Sequence, residues 1–263
     1  MIEISNVTFG YDTKPLFEGL SLRIPRRKIF GIIGPNGSGK STLVKLILGL
    51  LKPWSGEIRV DGQRVGSIPR KQLARLVSAV LQDFSPAYDF TVEEIVSMGR
   101  TPYLGFLGSE RVSDASIVAR SLERADLCGF EEHVFQQLSG GEKQRVLIAK
   151  CFAQQTPVLL LDEFVAHLDP GHVQQLMEQV SLRNREEGTC VVGVFHEINL
   201  ASLFCDQIAV FQSGKLVSQG TPGEVLDADL IQRVYGVRAL VIPHPVVSRP
   251  QVLYPPPGTK APG

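Results

Sequence analysis

The sequence predicts an α/β protein: a core of short buried strands and helices interrupted by a helical insertion. Three observations carry the prediction. Short buried-strand runs ("KIFGII", "PVLLLDE", "CVVGVF") occur in both the early and the late parts of the chain. The stretch from 83 to 155 has helical periodicity instead, with little strand character. Between the two, "GPNGSGKS" (Gly34 to Ser41) follows one apolar strand without a gap and opens a helix.

Taken in order, "IEISNVTF" and "LSLRI" alternate or carry β-branched residues between turn signals and read as strands. "KIFGII" is a short buried strand, and "TLVKLILGLL" after the glycine-rich loop has helical length. "GEIRVDG" reads as a strand ending in a turn, "LVSAVLQ" as another buried strand. "TVEEIVSMGR" and "SDASIVARSLERADL" carry helix start signals and helical periodicity. Strands return in "PVLLLDE", "CVVGVFH" and "QIAVFQSGKLV". The expected division is a core from 1–82 and 156–240, a helical subdomain from 83–155, and a tail from 241–263. Seven of the 17 prolines fall in the last 21 residues, so the tail is expected to be extended, neither regular helix nor central strand. No internal repeat is present, and each chemical motif occurs once.

Composition narrows the class. Lysine plus arginine equal aspartate plus glutamate at 27 each, so no global field points to nucleic acid or an acidic membrane surface. Cys128, Cys151, Cys190 and Cys205 lack metal-pair spacing and read as reduced, mostly core residues of a cytosolic protein. The N-terminus lacks a signal-peptide layout, and no apolar run approaches the length of a membrane span.

The loop from Gly34 to Ser41 fits G-x-x-x-x-G-K-[ST]. Gly34, Gly37 and Gly39, with Pro35, Asn36 and Ser38 between them, allow backbone N–H groups to wrap phosphate oxygens, and the following helix adds its dipole. Lys40 would reach the β- and γ-phosphates, and the Ser41 hydroxyl would coordinate Mg²⁺, with Thr42 next in the same turn. "VLLLDE" is a buried strand ending in two acids. Asp162 would help hold the Mg²⁺ shell, and Glu163 could orient and deprotonate the attacking water. A strand alternates faces, so adjacent acids cannot serve one role.

"QQLSGGEKQRV" raises a further question. Ser139 sits at an N-cap position, Gly140 and Gly141 permit close approach, and an apolar-periodic helix follows. Such a start exposes unpaired N–H groups and a partial positive charge, on a chain that already has a stronger phosphate site.

With Ser139, Gly140, Gly141 and Glu142 in "LSGGE", about twenty residues before "VLLLDE", the constellation resembles the signature of the ATP-binding-cassette ATPases over residues 1 to about 240. The resemblance implies a P-loop NTPase core of RecA-like type, an N-terminal antiparallel β-subdomain, an inserted α-helical subdomain, and ATP with Mg²⁺ as ligands. By the same resemblance Tyr11 would stack on adenine, and Gln82 would touch Mg²⁺ and the attacking water. Asp169 in "AHLD" would lie on the loop that crosses a dimer interface, and His196 would sense the γ-phosphate. Two departures stand out: Phe164-Val165 where many relatives have Pro-Thr or Pro-Ser, and Glu197 where the family commonly has aspartate. Neither removes a group assigned to the reaction.

The family places the signature against a partner subunit's nucleotide. A single set of motifs therefore implies a homodimer, or a pair with a similar ATPase subunit, with two sandwiched ATP sites. The resemblance further implies two multi-span membrane permease subunits, an indirect link to a substrate-binding protein, and a place on the cytoplasmic face of the cell membrane. "FTVEEIVSMGRTPYLGFLG", "FHEINLA" and "ALVIPHPVVSRPQVLYP" resemble importers of iron-siderophore, haem and cobalamin. Two other readings stay open at this stage. An exporter subunit shares the motor chemistry. A DNA-repair ATPase of the same superfamily is disfavoured by the short insertion, the absence of sustained heptads and the zero net charge.

Overall fold

Strand β1 (Ile2–Phe9) turns Ile2, Ile4, Val7 and Phe9 into the core, an alternation broken at Asn6, whose left-handed φ of 48° accompanies a register shift between Ile4 and Val7. The computed structural model describes residues 1–81, 84, 86–105, 112–165 and 168–256. These form two compact units, 1–66 with 192–263 and 67–191. The strands read from "LVSAVLQ" and "PVLLLDE", expected with the nucleotide-binding core, fall in the second of these units.

In the first unit β1 is followed by β2 (Phe17–Ile24), β3 (Ile29–Ile33), α1 (Lys40–Ile47), β4 (Ser55–Val60) and β5 (Gln63–Arg64). Strands β2, β1, β4 and β5 make a four-stranded antiparallel sheet in that order. β3 is buried at every position and belongs elsewhere; the glycine-rich loop connects it to α1. Helix α1 buries Leu43, Val44, Leu46 and Ile47 and exposes Lys45, so its apolar residues fix which way the glycine-rich loop faces.

The second unit contains α2 (Arg70–Leu73), β6 (Val77–Val80), α3 (Val92–Ser97), α4 (Val112–Arg124), α5 (Gly140–Gln154), β7 (Val158–Asp162) and α6 (Pro170–Glu187). β6 and β7 pair in parallel, Val77 with Val158 through Val80 with Leu161. All five β7 residues are buried, the apolar run Val158 to Leu161 as a covered parallel strand requires and Asp162 at its end. α3 starts at a Thr91–Glu94 capping box, as its sequence predicts, but ends at Ser97; Met98–Tyr103 tightens into a 3-10 turn containing Pro102. Arg100 anchors that turn. Its guanidinium pairs with buried Asp114 at 2.8 Å and lies 4.1 Å from the Tyr103 ring centre, and the Tyr103 hydroxyl donates to Gln154 O at 2.8 Å.

Strand β8 (Cys190–Val194) is fully buried and leads back into the first unit, where Phe195 N–H donates to Ile32 O at 3.0 Å. There follow α7 (Ile198–Phe204), β9 (Gln207–Gln212), β10 (Lys215–Gly220), α8 (Pro222–Val225), α9 (Ala228–Tyr235), β11 (Leu240–Pro243) and β12 (Pro250–Leu253). β9 runs parallel to β3, Phe30 with Gln207 through Ile33 with Val210, and turns back antiparallel as β10. The tail is more ordered than its prolines suggest. β11 and β12 form their own two-stranded antiparallel sheet, Leu240 opposite Leu253, with Pro243 and Pro250 paired where each strand meets the connecting turn.

Among the described residues no helix is long and apolar enough to cross a membrane. Cys151, Cys190 and Cys205 are buried and Cys128 is exposed; burial pushes the Cys151 thiol up to about 11.

Candidate functional site

The glycine-rich loop joins β3 to α1, so its ends are set by two buried elements while Asn36 and Gly37 face outward. Gly34 is required twice over. Its φ is +149°, and a Cβ there would lie 2.1 Å from the carbonyl oxygen of Phe211 in β9. Ser38 N–H donates to Pro35 O at 3.2 Å, closing the loop, and Gly214 N–H donates to Ser38 O at 3.1 Å. Gly39 is the N-cap of α1 with φ 101°, without a side-chain cap and without an acidic residue in the first turn of the helix. The helix start therefore presents its N–H groups to the loop with no carboxylate of its own turn competing for them.

Two polar groups show what the loop suits. Lys40 is 5% exposed, and its Nζ donates to Gly34 O at 2.8 Å and Pro35 O at 2.9 Å, folding a buried cation over the loop. Ser38 Oγ is buried with no hydrogen-bond partner among the described residues. An orphaned buried hydroxyl beside a buried ammonium and a bare helix start fits an oxyanion ligand. Ser41, in the first turn of α1, is half-buried, and Thr42 is buried. Thr42 Oγ1 lies 3.1 Å from the Tyr11 hydroxyl, which ties Tyr11 to α1; the Tyr11 ring is 62% exposed and meets Phe9 edge-on at 5.3 Å. An exposed, tethered aromatic face beside the phosphate loop suits a purine base. His196, in the same unit, is exposed and stands two residues before α7.

In the second unit Asp162 ends β7 and is 2% exposed. Glu163 follows with φ 52°, a left-handed conformation that costs a non-glycine residue energy and is tolerated where surrounding contacts impose it. Phe164, the next residue, is fully buried. The residue that departs from the Pro-Thr pattern thus stands in the core, directly after the left-handed Glu163.

Ser139 caps α5, and the cap is not open as the sequence suggests. Glu142 N–H donates to Ser139 Oγ at 3.3 Å, while the Glu142 carboxylate accepts from Ser139 Oγ–H at 2.7 Å and Ser139 N–H at 2.8 Å. Those hydrogen bonds from Ser139 hold the Glu142 carboxyl below the usual carboxylate range. Ser139 and Gly140 are exposed, and a Cβ on Gly141 would lie 3.2 Å from Leu168, so the signature turn and the Asp169 loop are neighbours. Asp169 caps α6, accepting from His172 N–H at 3.0 Å and pairing with the His172 ring; the backbone bond contributes most to holding its carboxyl low.

The structure therefore gathers Tyr11, Gly34 to Thr42 and His196 in the first unit, and Asp162, Glu163, Ser139 to Glu142 and Asp169 in the second. Gln82 lies outside the described residues. Tyr235, at the end of α9, was not signalled by any motif; burial pushes its phenol well above the usual range.

Residues 17–166 match the family model described as ABC transporter. The ferric enterobactin transport ATP-binding protein of Escherichia coli is 35% identical over 247 residues, covering 94% of this chain and 91% of that protein. The petrobactin import ATP-binding protein of Bacillus anthracis is 36% identical over 90% of this chain and 87% of its own length. The hemin import ATP-binding protein of Streptomyces coelicolor is 35% identical, covering 88% and 82%. Among solved structures, a chain from an inward-facing structure described as a metal-chelate type ABC transporter superposes with a TM-score of 0.84 over 97% of each chain, at 22% identity, a likeness of fold. A dimeric bacterial ABC transporter cassette is 29% identical with a TM-score of 0.75, covering 84% of this chain and 98% of that one; the same cassette is also known in a post-hydrolysis state bound to ADP and Pi.

Proposed function

Since the chain belongs to the ABC transporter family and is an ATP-binding, ATP-hydrolysing subunit, we propose that it powers uptake of a metal chelate (an iron-siderophore, haem or a cobalamin) through separate membrane permease subunits. The observation that carries the motor half of this reading is the phosphate loop: buried Lys40 and the orphaned Ser38 hydroxyl at a helix start without an acidic residue in its first turn. The relatives, named as ATP-binding proteins of ferric enterobactin transport, petrobactin import and hemin import, support the cargo class.

In this reading Tyr11 stacks on adenine, and the N–H groups of the loop from Gly34 to Gly39 wrap the phosphates. Lys40 neutralises charge on the β- and γ-phosphates. Mg²⁺, held by Ser41, Gln82 and Asp162, would supply charge neutralisation at the phosphate oxygens. Glu163 takes the proton of the attacking water, and His196 holds the γ-phosphate end of the nucleotide. The chain dimerises so that Ser139, Gly140 and Gly141 face the partner's nucleotide, with Asp169 at the crossing. Differential binding of ATP and ADP then opens and closes the dimer. Two permease subunits hold it at the cytoplasmic face of the membrane, and a substrate-binding protein delivers the cargo on the far side.

The test is reconstitution. The chain is co-expressed with each candidate multi-span permease and the complex placed in proteoliposomes. Chelate-loaded binding protein should raise ATP turnover and drive chelate to the side opposite the ATPase. Transport toward the binding-protein side, or turnover coupled only to DNA, overturns the importer reading.

A further inference from the structure

Helix α7 begins two residues after His196 and is gripped by the C-terminal hairpin along its length. Asn199 behaves as a neighbouring strand would: Val252 N–H donates to its Oδ1 at 2.7 Å, and its Nδ2 donates to Val252 O at 3.0 Å. One turn further, Ser202 Oγ donates to Pro250 O at 2.6 Å, and Ser202 is fully buried. At the end of the helix the Arg249 guanidinium donates to Cys205 O at 3.0 Å, on the C-cap residue. Three side-chain-to-backbone attachments over seven positions, with Val252 only 2% exposed between them, fix the hairpin in a single register. A slip of one residue would turn Val252 outward and set Gln251 or Leu253 against Asn199.

At the start of α7 the attachment nearest His196 is the one through Asn199, the second residue of the helix. Glu197, its N-cap, makes no side-chain cap hydrogen bond. Just before it, Phe195 is pinned to β3 by its N–H bond to Ile32 O. His196 therefore stands on a short bridge between a strand that leads into the phosphate loop and a helix whose placement the hairpin sets.

We propose that the β11–β12 hairpin is a clasp that orients His196 through α7, making Asn199, Ser202 and Arg249 positioning residues for ATP hydrolysis. The clasp rests on the reading of His196 as the group that holds the γ-phosphate. It gives the proline-rich tail a role in turnover rather than in folding alone, and it makes any partner that peels the hairpin from α7 a brake on the ATPase. Proline suits such a clasp, since Pro243 and Pro250 restrict the hairpin before it docks.

The experiment uses the full chain, measuring ATP affinity, kcat and KM for Asn199→Ala, Ser202→Ala and His196→Ala, and for the double variants with His196→Ala. Displacing a group that acts in the reaction should lower kcat about tenfold, while KM and ATP affinity stay within about twofold. Adding Asn199→Ala or Ser202→Ala to His196→Ala should cost nothing more, because the clasp acts only through the histidine. Asn199→Asp, which keeps the acceptor for Val252 N–H, should recover part of kcat. Ser202→Ala removes a single hydroxyl and carries the test if Asn199→Ala lowers the unfolding midpoint sharply. Three results would overturn the proposal. Unchanged kcat in both single variants removes the clasp, and so does a full additional loss on the His196→Ala background, with His196 keeping its own role in each case. Full kcat in His196→Ala removes the reading of that residue and the clasp with it.

Discussion

Ser139 and Glu142 satisfy each other across the first turn of α5. The hydroxyl and N–H of Ser139 both donate to the Glu142 carboxylate, and the Glu142 N–H donates back to Ser139 Oγ. The signature helix start, predicted to meet a phosphate, therefore holds an anion of its own chain in the isolated subunit. On the proposed reading, in which Ser139 faces a partner's nucleotide, its Oγ–H would have to leave Glu142, and the capping box would compete with dimer closure.

That competition gives a pH dependence with a definite sign. The folded-state pKa of Glu142 is depressed, so its contribution to stability is present above the ordinary carboxylate value. It is lost as pH falls through the lower folded value, below about pH 4.3. Glu142→Gln should flatten this part of the acid limb when urea midpoints are followed from neutral pH downward. Ser139→Ala should cost about 1 kcal/mol as a lost cap.

A mixed dimer tests whether the signature works across subunits. One chain carries Ser139→Arg and the other Lys40→Ala. If each site combines one chain's phosphate loop with the other chain's signature, both lesions fall in one site and the second stays intact. Occupancy measured with labelled ATP should then be one nucleotide per mixed dimer. If the signature serves its own chain's loop, each site carries one lesion and the single intact site never appears.

Glu163→Gln should bind ATP normally and lose hydrolysis by about 10²- to 10⁴-fold, the scale of a removed general base, while sedimentation shows an ATP-dependent dimer that persists. Steady-state turnover at the parent rate would rule out the general-base assignment. Lys40→Ala should fail earlier, at nucleotide binding.

Phe164 carries a stability prediction. Because it is fully buried behind the left-handed Glu163, Phe164→Ala should cost about 3–5 kcal/mol and release the turn. Phe164→Leu, nearer in volume, should restore most of the unfolding midpoint and of kcat. Loss of kcat at parent stability would instead assign the ring a direct part in the reaction.

Much of the site was legible in the chain. "GPNGSGKS" required a strand before it and a helix after it, and β3 and α1 lie there because their apolar residues leave no other packing. "VLLLD" was a strand buried on both faces, and its acids had to stand at the end of that strand. Less legible was anything that depends on a distant partner. That α3 stops at Ser97 follows from the Arg100–Asp114 pair and the Tyr103–Gln154 contact, joined across 14 and 51 residues. Proline count alone gave an extended tail; pairing between β11 and β12 and docking on α7 made it a hairpin.

The sequence by itself thus determined the order of elements, the phosphate loop, the acidic strand end, the signature helix and the family, because local spacing and hydrophobic period encode each of them. Only the tertiary structure decided that Lys40 folds over the carbonyls of Gly34 and Pro35, that Ser38 Oγ finds no hydrogen-bond partner among the described residues, that Glu163 is left-handed just before a buried Phe164, and that Asn199 pairs with Val252. Each of these depends on which buried groups are left to satisfy one another once the chain has packed. That is a property of the whole fold rather than of any short stretch.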